Sequence, residues 1–456
     1  MDSSPLLRPT AVSAVAALND HELEHRRPPS PSDPSEDNFS LEIEEPHSGN
    51  SVMEATYHII CVIAGSGILQ LPYALNQSGW IGVALVVFAA FANNYSGKLL
   101  IKCLYAKKGK GENGRRLKGF AHIGMEAFGS IGGSLVEVFM FASLLGCPIV
   151  YFILTGMNLE YLFGIFSMKV WMILSSFLVL VPFLMFKTLK EVAILSAFGV
   201  LATVVVIGTV IFYSIHDLPL NSGKVTHKFI DPTQFASALG SISFSFSGNF
   251  IYPEVEASMA EPQKFHQVLS LSMIIISSMY LITAICGYAA YGNTTDSPIL
   301  NNMPPGFISN LSVFLITAHV LFAIPILLTT FAMEVERRVD LVAASGGDVK
   351  KEDQLRKLLR VGMMVVIVLL AIAIPFFKDF MTLLGAVANT ALIFVFPVIF
   401  DFQLFGFQNR STSEKVFGIL ILVVGVFGGV VGGFEAIVAL VHDIQGTGGV
   451  AKPGGH

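Results

Sequence analysis

Eleven times along this chain an apolar run is long enough to cross a hydrocarbon core, which takes about 20 helical residues. The runs cover 52–75, 80–104, 131–162, 169–188, 191–215, 234–258, 267–292, 307–336, 358–376, 379–404 and 414–442, and 118–130 is a short amphipathic lead into the third. Inside lipid no water satisfies a backbone amide or carbonyl, so such runs must be helices that pair those groups internally. The fold class that follows is an all-α polytopic membrane protein with the lipid bilayer as its surroundings. Composition agrees: of 456 residues, 53% are hydrophobic, 13% are charged and 37 are Phe, and the mean hydropathy is +0.67. No soluble domain is left over, and no nucleic acid partner is expected.

Residues 1–50 differ from the rest. Their Pro-, Ser- and Glu-rich text, as in Arg27 to Asp37, offers too little apolar surface to offset the entropy of ordering, so a disordered tail is expected. It lacks the basic start and apolar stretch of a signal peptide, which places it in the cytosol. With that orientation all of the 28 Lys and Arg but Lys169, Lys224, Lys228, Lys378 and Lys452 fall on the cytosolic side, the asymmetry a correct topology should show. The chain then divides into a cytosolic tail (1–50), an eleven-span domain (51–445) and a short lumenal C-terminal tail (446–456). The triplet Asn293-Thr294-Thr295 falls on the lumenal side, where Asn293 is a glycosylation candidate.

Two of the runs are broken by glycine in the same register. Ala64-Gly65-Ser66-Gly67-Ile68-Leu69-Gln70-Leu71-Pro72 and Ser245-Phe246-Ser247-Gly248-Asn249-Phe250-Ile251-Tyr252-Pro253 each place a proline five residues after the last glycine. Unwound backbone at bilayer depth survives where it lines a cavity, and matched interruptions in two halves of a membrane protein point to a solute-binding site. A break at Gly65, Ser66, Gly67 and Ile68 exposes amides at the positive end of a half-helix, suited to a carboxylate. Carbonyls left unpaired at Val62, Ile63 and Ala64, and at Phe244 and Ser245 before the second break at Ser247, Gly248 and Asn249, suit an ammonium. A zwitterionic amino acid answers both ends. No charged side chain sits at either break, so a neutral amino acid is favoured.

Gly65 to Ala74 followed by Gly79-Trp80 resembles the first-helix signature of the amino acid/auxin permease family. The stretch Phe246 to Phe265, with Pro253, Ser258-Met259 and Glu261-Pro262, is similar to that family's sixth helix and following loop. The likeness spans roughly 50–445 and is nearest the vacuolar and vesicular branch. It implies the leucine-transporter fold, with spans 1–5 and 6–10 as two five-helix repeats of opposite topology and an eleventh helix outside them. It also implies carriage by alternating access, with spans 1, 2, 6 and 7 rocking against 3, 4, 8 and 9.

The ionisable residues within the spans are candidates for proton coupling, since each is costly unless it has a use. Glu254, beside the second break, stands first, followed by His319 and Glu137; Glu435 lies in the eleventh span. A sodium-coupled alternative would use span-one carbonyls with Thr329 and Thr330. The branch resemblance favours a proton gradient over sodium, and no other cofactor is expected. Cys61, Cys103, Cys147 and Cys286 read as thiols rather than disulfides. The zinc-protease pattern His21-Glu22-Leu23-Glu24-His25 lies in the tail without a third ligand, and no metal site is expected. Asp2, Leu6 and Leu7 resemble an acidic dileucine sorting signal read by a clathrin adaptor. With the family branch, it favours a vacuolar, lysosomal or vesicular membrane over the plasma membrane. Two functional classes remain: a carrier, and an amino acid sensor signalling through its tail. No nucleophile–base pair suggests an enzyme.

Overall fold

The computed structural model describes residues 49–106, 116–185, 193–339, 346 and 348–446. The sorting residues Asp2, Leu6 and Leu7 lie outside these, as does the tail but for Gly49 and Asn50, and so do 447–456 of the C-terminal segment. Among the described residues no strand forms. The helices are α1 (Val52–Ile63), α2 (Leu71–Ser78), α3 (Ile81–Leu104), α4 (Phe120–Phe163), α5 (Met168–Met185), α6 (Ala193–Asn221), α7 (Phe235–Ser245) and α8 (Tyr252–Ala257). They continue as α9 (Phe265–Tyr291), α10 (Phe307–Val339), α11 (Val349–Ala373), α12 (Phe377–Leu384), α13 (Phe396–Phe405), α14 (Thr412–Phe427) and α15 (Gly433–Gly446). Two π-helical stretches, Gly385–Asn389 and Ala391–Val395, join α12 to α13, and a third, Gly428–Gly432, joins α14 to α15.

Eight described helices are long and apolar enough to cross a membrane, or nine when the pair bent by 46° at the first break counts as one span. The sequence reading adds two more. The segment 234–258 is divided by its break into helices of 11 and six residues, neither of which spans alone. α11 carries Arg356, Lys357 and Arg360 at the head of its apolar part. The lead at 118–130 is continuous with the third span but kinked, at Phe128 and at Gly129 with φ 65°.

Local rules explain how the broken spans start and restart. Ser51 caps α1: its hydroxyl accepts the Glu54 amide while the Glu54 carboxylate accepts the Ser51 amide at 2.7 Å, meeting two otherwise orphaned donors. After each break the chain passes through a 3-10 turn, Ser66–Gln70 or Asn249–Ile251. The helix then resumes with Pro72 or Pro253 as its second residue, where a missing amide forfeits no intrahelical bond.

Away from the breaks, charges hold the third, fourth, eighth and ninth spans together. Arg360 of α11, 1% exposed, pairs with Glu336 of α10 at 2.7 Å and donates to the Phe183 carbonyl of α5 at 2.8 Å. Arg338 of α10 pairs with Glu137 of α4 at 2.5 Å.

Candidate functional site

The two breaks touch. Gly67 lies flat on α7: a Cβ there would stand 2.6 Å from the Ser245 Cα, so no larger residue fits without moving backbone. Ser245 Oγ donates to the Gly67 carbonyl at 2.8 Å. The Tyr280 hydroxyl, fully buried on α9, lies 2.7 Å from the Ile63 carbonyl oxygen and 2.6 Å from that of Ser245, and so joins the ends of α1 and α7. Thr203 of α6 donates to the Ala64 carbonyl at 3.1 Å, and Asn93 of α3 to the Phe246 carbonyl at 3.0 Å. Gly248 adopts φ 134°, a region that disfavours any side chain, and packs on Ile63 and Val62.

Protein groups therefore already engage several carbonyls that the sequence offers to an ammonium. Ile63 accepts the Gly65 amide and shares the single Tyr280 proton with Ser245, and Phe244 accepts the Ser247 amide. Ala64 and Ser245 each accept one side-chain hydroxyl, which leaves a second lone pair. The amides of Ser66 and Gly67 head the first 3-10 turn, where no intrahelical acceptor precedes them, and Ile68 behind them is fully buried.

His319 of α10 reaches this point. Its Nε2 and the Tyr151 hydroxyl of α4 each lie 3.6 Å from where a Gly65 Cβ would be. The imidazole also leans on α6 at Gly199, where a Cβ would come within 2.3 Å of Nδ1. The histidine thus fills the space between the first break, α6 and α10. Thr329 and Thr330 sit ten residues further along α10, about 15 Å at the helical rise. Thr329 Oγ1 is buried without a hydrogen-bond partner, and Thr330 donates to the Ile326 carbonyl at 3.0 Å.

Two carboxylates follow the second break, and they face opposite ways. Glu254 is exposed, whereas Glu256 is 1% exposed and fully engaged. Residues two apart on a helix lie about 200° apart, so one faces in when the other faces out. Glu256 Oε2 accepts from Arg116 Nε at 2.9 Å and Nη2 at 2.7 Å, Oε1 accepts from the Tyr105 hydroxyl, and Arg116 also donates to the Pro253 carbonyl. Asn50 pairs beside it with the strand-like stretch at Ser258 to Ala260. Glu137 is held by Arg338, and Glu435 accepts from the Ser237 amide at 3.0 Å and hydroxyl at 2.7 Å.

Besides Ser66 and Asn249, which the sequence places at the breaks, the apolar spans hold polar groups that the sequence reading passed over. Ser143, Cys147, Tyr151 and Thr155 recur every fourth residue and so share one face of α4. Ser143 donates to Asn389 Oδ1 at 2.8 Å, and Asn249 donates to the Leu392 carbonyl. Ser66 Oγ, Thr155 Oγ1, Asn249 Oδ1 and Asn389 Nδ2 are buried without partners. Periodicity of polar residues within spans, rather than charge, is the signal that would have found them.

Beyond α2 lies a cavity of about 280 Å³ lined by Tyr73, Asn76, Lys228, Asp231, Tyr288 and Asn293. Lys228 and Thr233 hydrogen-bond the Asp231 carboxyl and hold it down at about 2. The sequon residue Asn293 is exposed, its side-chain oxygen accepting the Thr226 amide at 2.9 Å. Among the described residues no group of three or more His, Cys, Asp and Glu is placed to hold a metal ion.

This architecture is that of known transporters. A manganese transporter from Eremococcus coleocola superposes with a TM-score of 0.54 at 12% identity, covering 91% of this chain and 92% of that one. A sodium-coupled sialic acid symporter superposes at 0.50 and 12% identity, over 84% and 89%. The likeness defines the class as an integral membrane protein of the leucine-transporter fold, with two inverted five-helix repeats and an eleventh helix. Residues 48–438 match the model of the transmembrane amino acid transporter protein family, and the chain belongs to that family, one of transporters and not of enzymes. It is 26% identical to amino acid transporter AVT1E of Arabidopsis thaliana, over 84% of this chain and 72% of that protein. It is 28% identical to the vesicular inhibitory amino acid transporter of Rattus norvegicus, over 86% and 75%.

Proposed function

We propose that the chain is a secondary active carrier of neutral amino acids in an internal, vacuolar or vesicular membrane, working by alternating access and driven by a proton gradient. The zwitterion binds at the two breaks, its carboxylate on the Ser66 and Gly67 amides and its ammonium on the free lone pairs of the Ala64 and Ser245 carbonyls. The relatives named for amino acid transport support the substrate, and the one named as vesicular supports an internal membrane. His319 carries the coupling. The observation behind this assignment is its position: a titratable ring wedged between Gly65 and Gly199, where protonation changes the charge next to the unwound backbone. Thr329 and Thr330, which the sodium alternative would use, stand three turns further along α10 than His319.

Purified protein in liposomes tests the assignment. An imposed pH gradient without sodium should drive accumulation of alanine. His319→Gln should lose that accumulation yet still exchange labelled for unlabelled alanine across the membrane, since exchange needs binding and rocking but no net proton movement. Accumulation that survives the substitution, or that requires sodium, sinks the assignment. Binding without exchange in either protein would favour the sensor. Glu254→Gln and Glu137→Gln, in the same assay, measure whether those carboxylates share the coupling.

A further inference from the structure

Beside the second break, two asparagines are each half used. Asn249, the first residue after Gly248, donates Nδ2 to the Leu392 carbonyl, which fixes the amide and leaves Oδ1 buried with no donor. Asn389, about one turn before Leu392, accepts the Ser143 hydroxyl through Oδ1 at 2.8 Å and leaves Nδ2 buried with no acceptor. Both residues are 1% exposed. A buried polar atom without a partner is costly and uncommon, and here an orphaned acceptor and an orphaned donor flank the same turn of the tenth span. The backbone there is also unusual: Gly385–Asn389 and Ala391–Val395 are π-helical, with the Thr390 hydroxyl donating to the Gly385 carbonyl at 2.9 Å. Such turns are rare and concentrate at functional sites.

We infer that Asn249 and Asn389 read the substrate's side chain, and that the favoured substrates carry a side-chain carboxamide, as glutamine and asparagine do. A carboxamide's NH2 donates to Asn249 Oδ1 while its carbonyl accepts from Asn389 Nδ2, so both orphans are met by one group. An aliphatic side chain of the same shape meets neither. A site that hydrogen-bonds its substrate rejects an analogue lacking the group far more strongly than an apolar pocket sorts by size. A carboxylate lacks the donor that Asn249 needs, and an ammonium lacks the acceptor that Asn389 needs. The pair thus also disfavours charged amino acids. The inference rests on the proposed amino acid site at the breaks and names the class of molecule that site takes.

Uptake of glutamine, leucine and alanine into liposomes tests it, comparing kcat/KM for the wild type with Asn389→Leu and Asn249→Leu. The wild type should prefer glutamine over leucine by about a hundredfold or more, and each substitution should lower that ratio at least about tenfold. A wild-type ratio near one with alanine transported would mean that water meets the two orphans; it overturns the side-chain assignment and leaves the carrier standing. Failure of folded protein to move any of the three overturns both. Because Asn249 also holds the tenth span, a second measurement avoids substitution. Glutamine should raise the unfolding temperature of detergent-solubilised wild type more than leucine at equal concentration, and equal shifts overturn the assignment.

Discussion

α2 and α8 both resume a broken span with proline as their second residue, yet neutral groups fasten the first and a buried charge fastens the second. Gln70, fully buried just before α2, presents its amide nitrogen to Ser241 Oγ and Thr382 Oγ1 at 2.9 Å and to the Lys378 carbonyl at 3.1 Å. Glu256 closes α8 onto Arg116 and Tyr105. Neutral hydrogen bonds contribute about 1 kcal/mol each and exchange one at a time. Removing one partner of a buried ion pair strands the other charge, at about 3–5 kcal/mol. Matched repeats can thus share backbone geometry while differing in how firmly each half-helix is anchored.

The largest effect is expected at the contact the two breaks share. Gly67→Val should reduce uptake by at least about a hundredfold with normal expression, since its side chain would overlap Ser245 backbone. Gly65→Ala, whose Cβ meets nothing nearer than 3.6 Å, should keep most of it. Equal loss in both would show that the contact is not what sets the site.

Next comes the charged anchor. Arg116→Gln should lower unfolding stability in detergent by about 3–5 kcal/mol, because it strands the buried Glu256 carboxylate, and adding Glu256→Gln should restore part of it by removing that charge. The neutral anchor is weaker. Gln70→Leu should cost about 1–2 kcal/mol, because Ser241 and Thr382 already stand 3.0 Å apart and bond each other when the amide is gone. If Gln70→Leu costs as much as Arg116→Gln, the contrast between the anchors fails.

The smallest effect concerns pH at the outer cavity. Asp231 is held below its unfolded value, so its stabilisation is present above about 3.8 and is lost as pH falls towards about 2. Acidification from pH 7 to 5 should leave that contribution intact. Asp231→Asn should shift the unfolding temperature equally at both pH values, by no more than on the order of 1 kcal/mol, because its partner Lys228 stands largely in water. A difference that grows between pH 7 and 5 would show that the carboxyl titrates higher than its partners imply.

Much of this molecule was legible from composition along the chain. Apolar runs of bilayer length mark helices wherever they fall, and Gly67, Gly248, Pro72 and Pro253 mark the breaks, because backbone preference and the lipid's lack of hydrogen-bonding partners are local physics. Tertiary packing decided the rest. That Glu256 rather than Glu254 is buried, and that His319 fills the space at Gly65, depends on which face each helix turns to its neighbours. Asn249 and Asn389 are orphaned only because Leu392 and Ser143 take one end of each. Rotation of a helix about its axis leaves its own backbone bonds unchanged, so the sequence of a single span carries little information about it; contacts with the other spans set it.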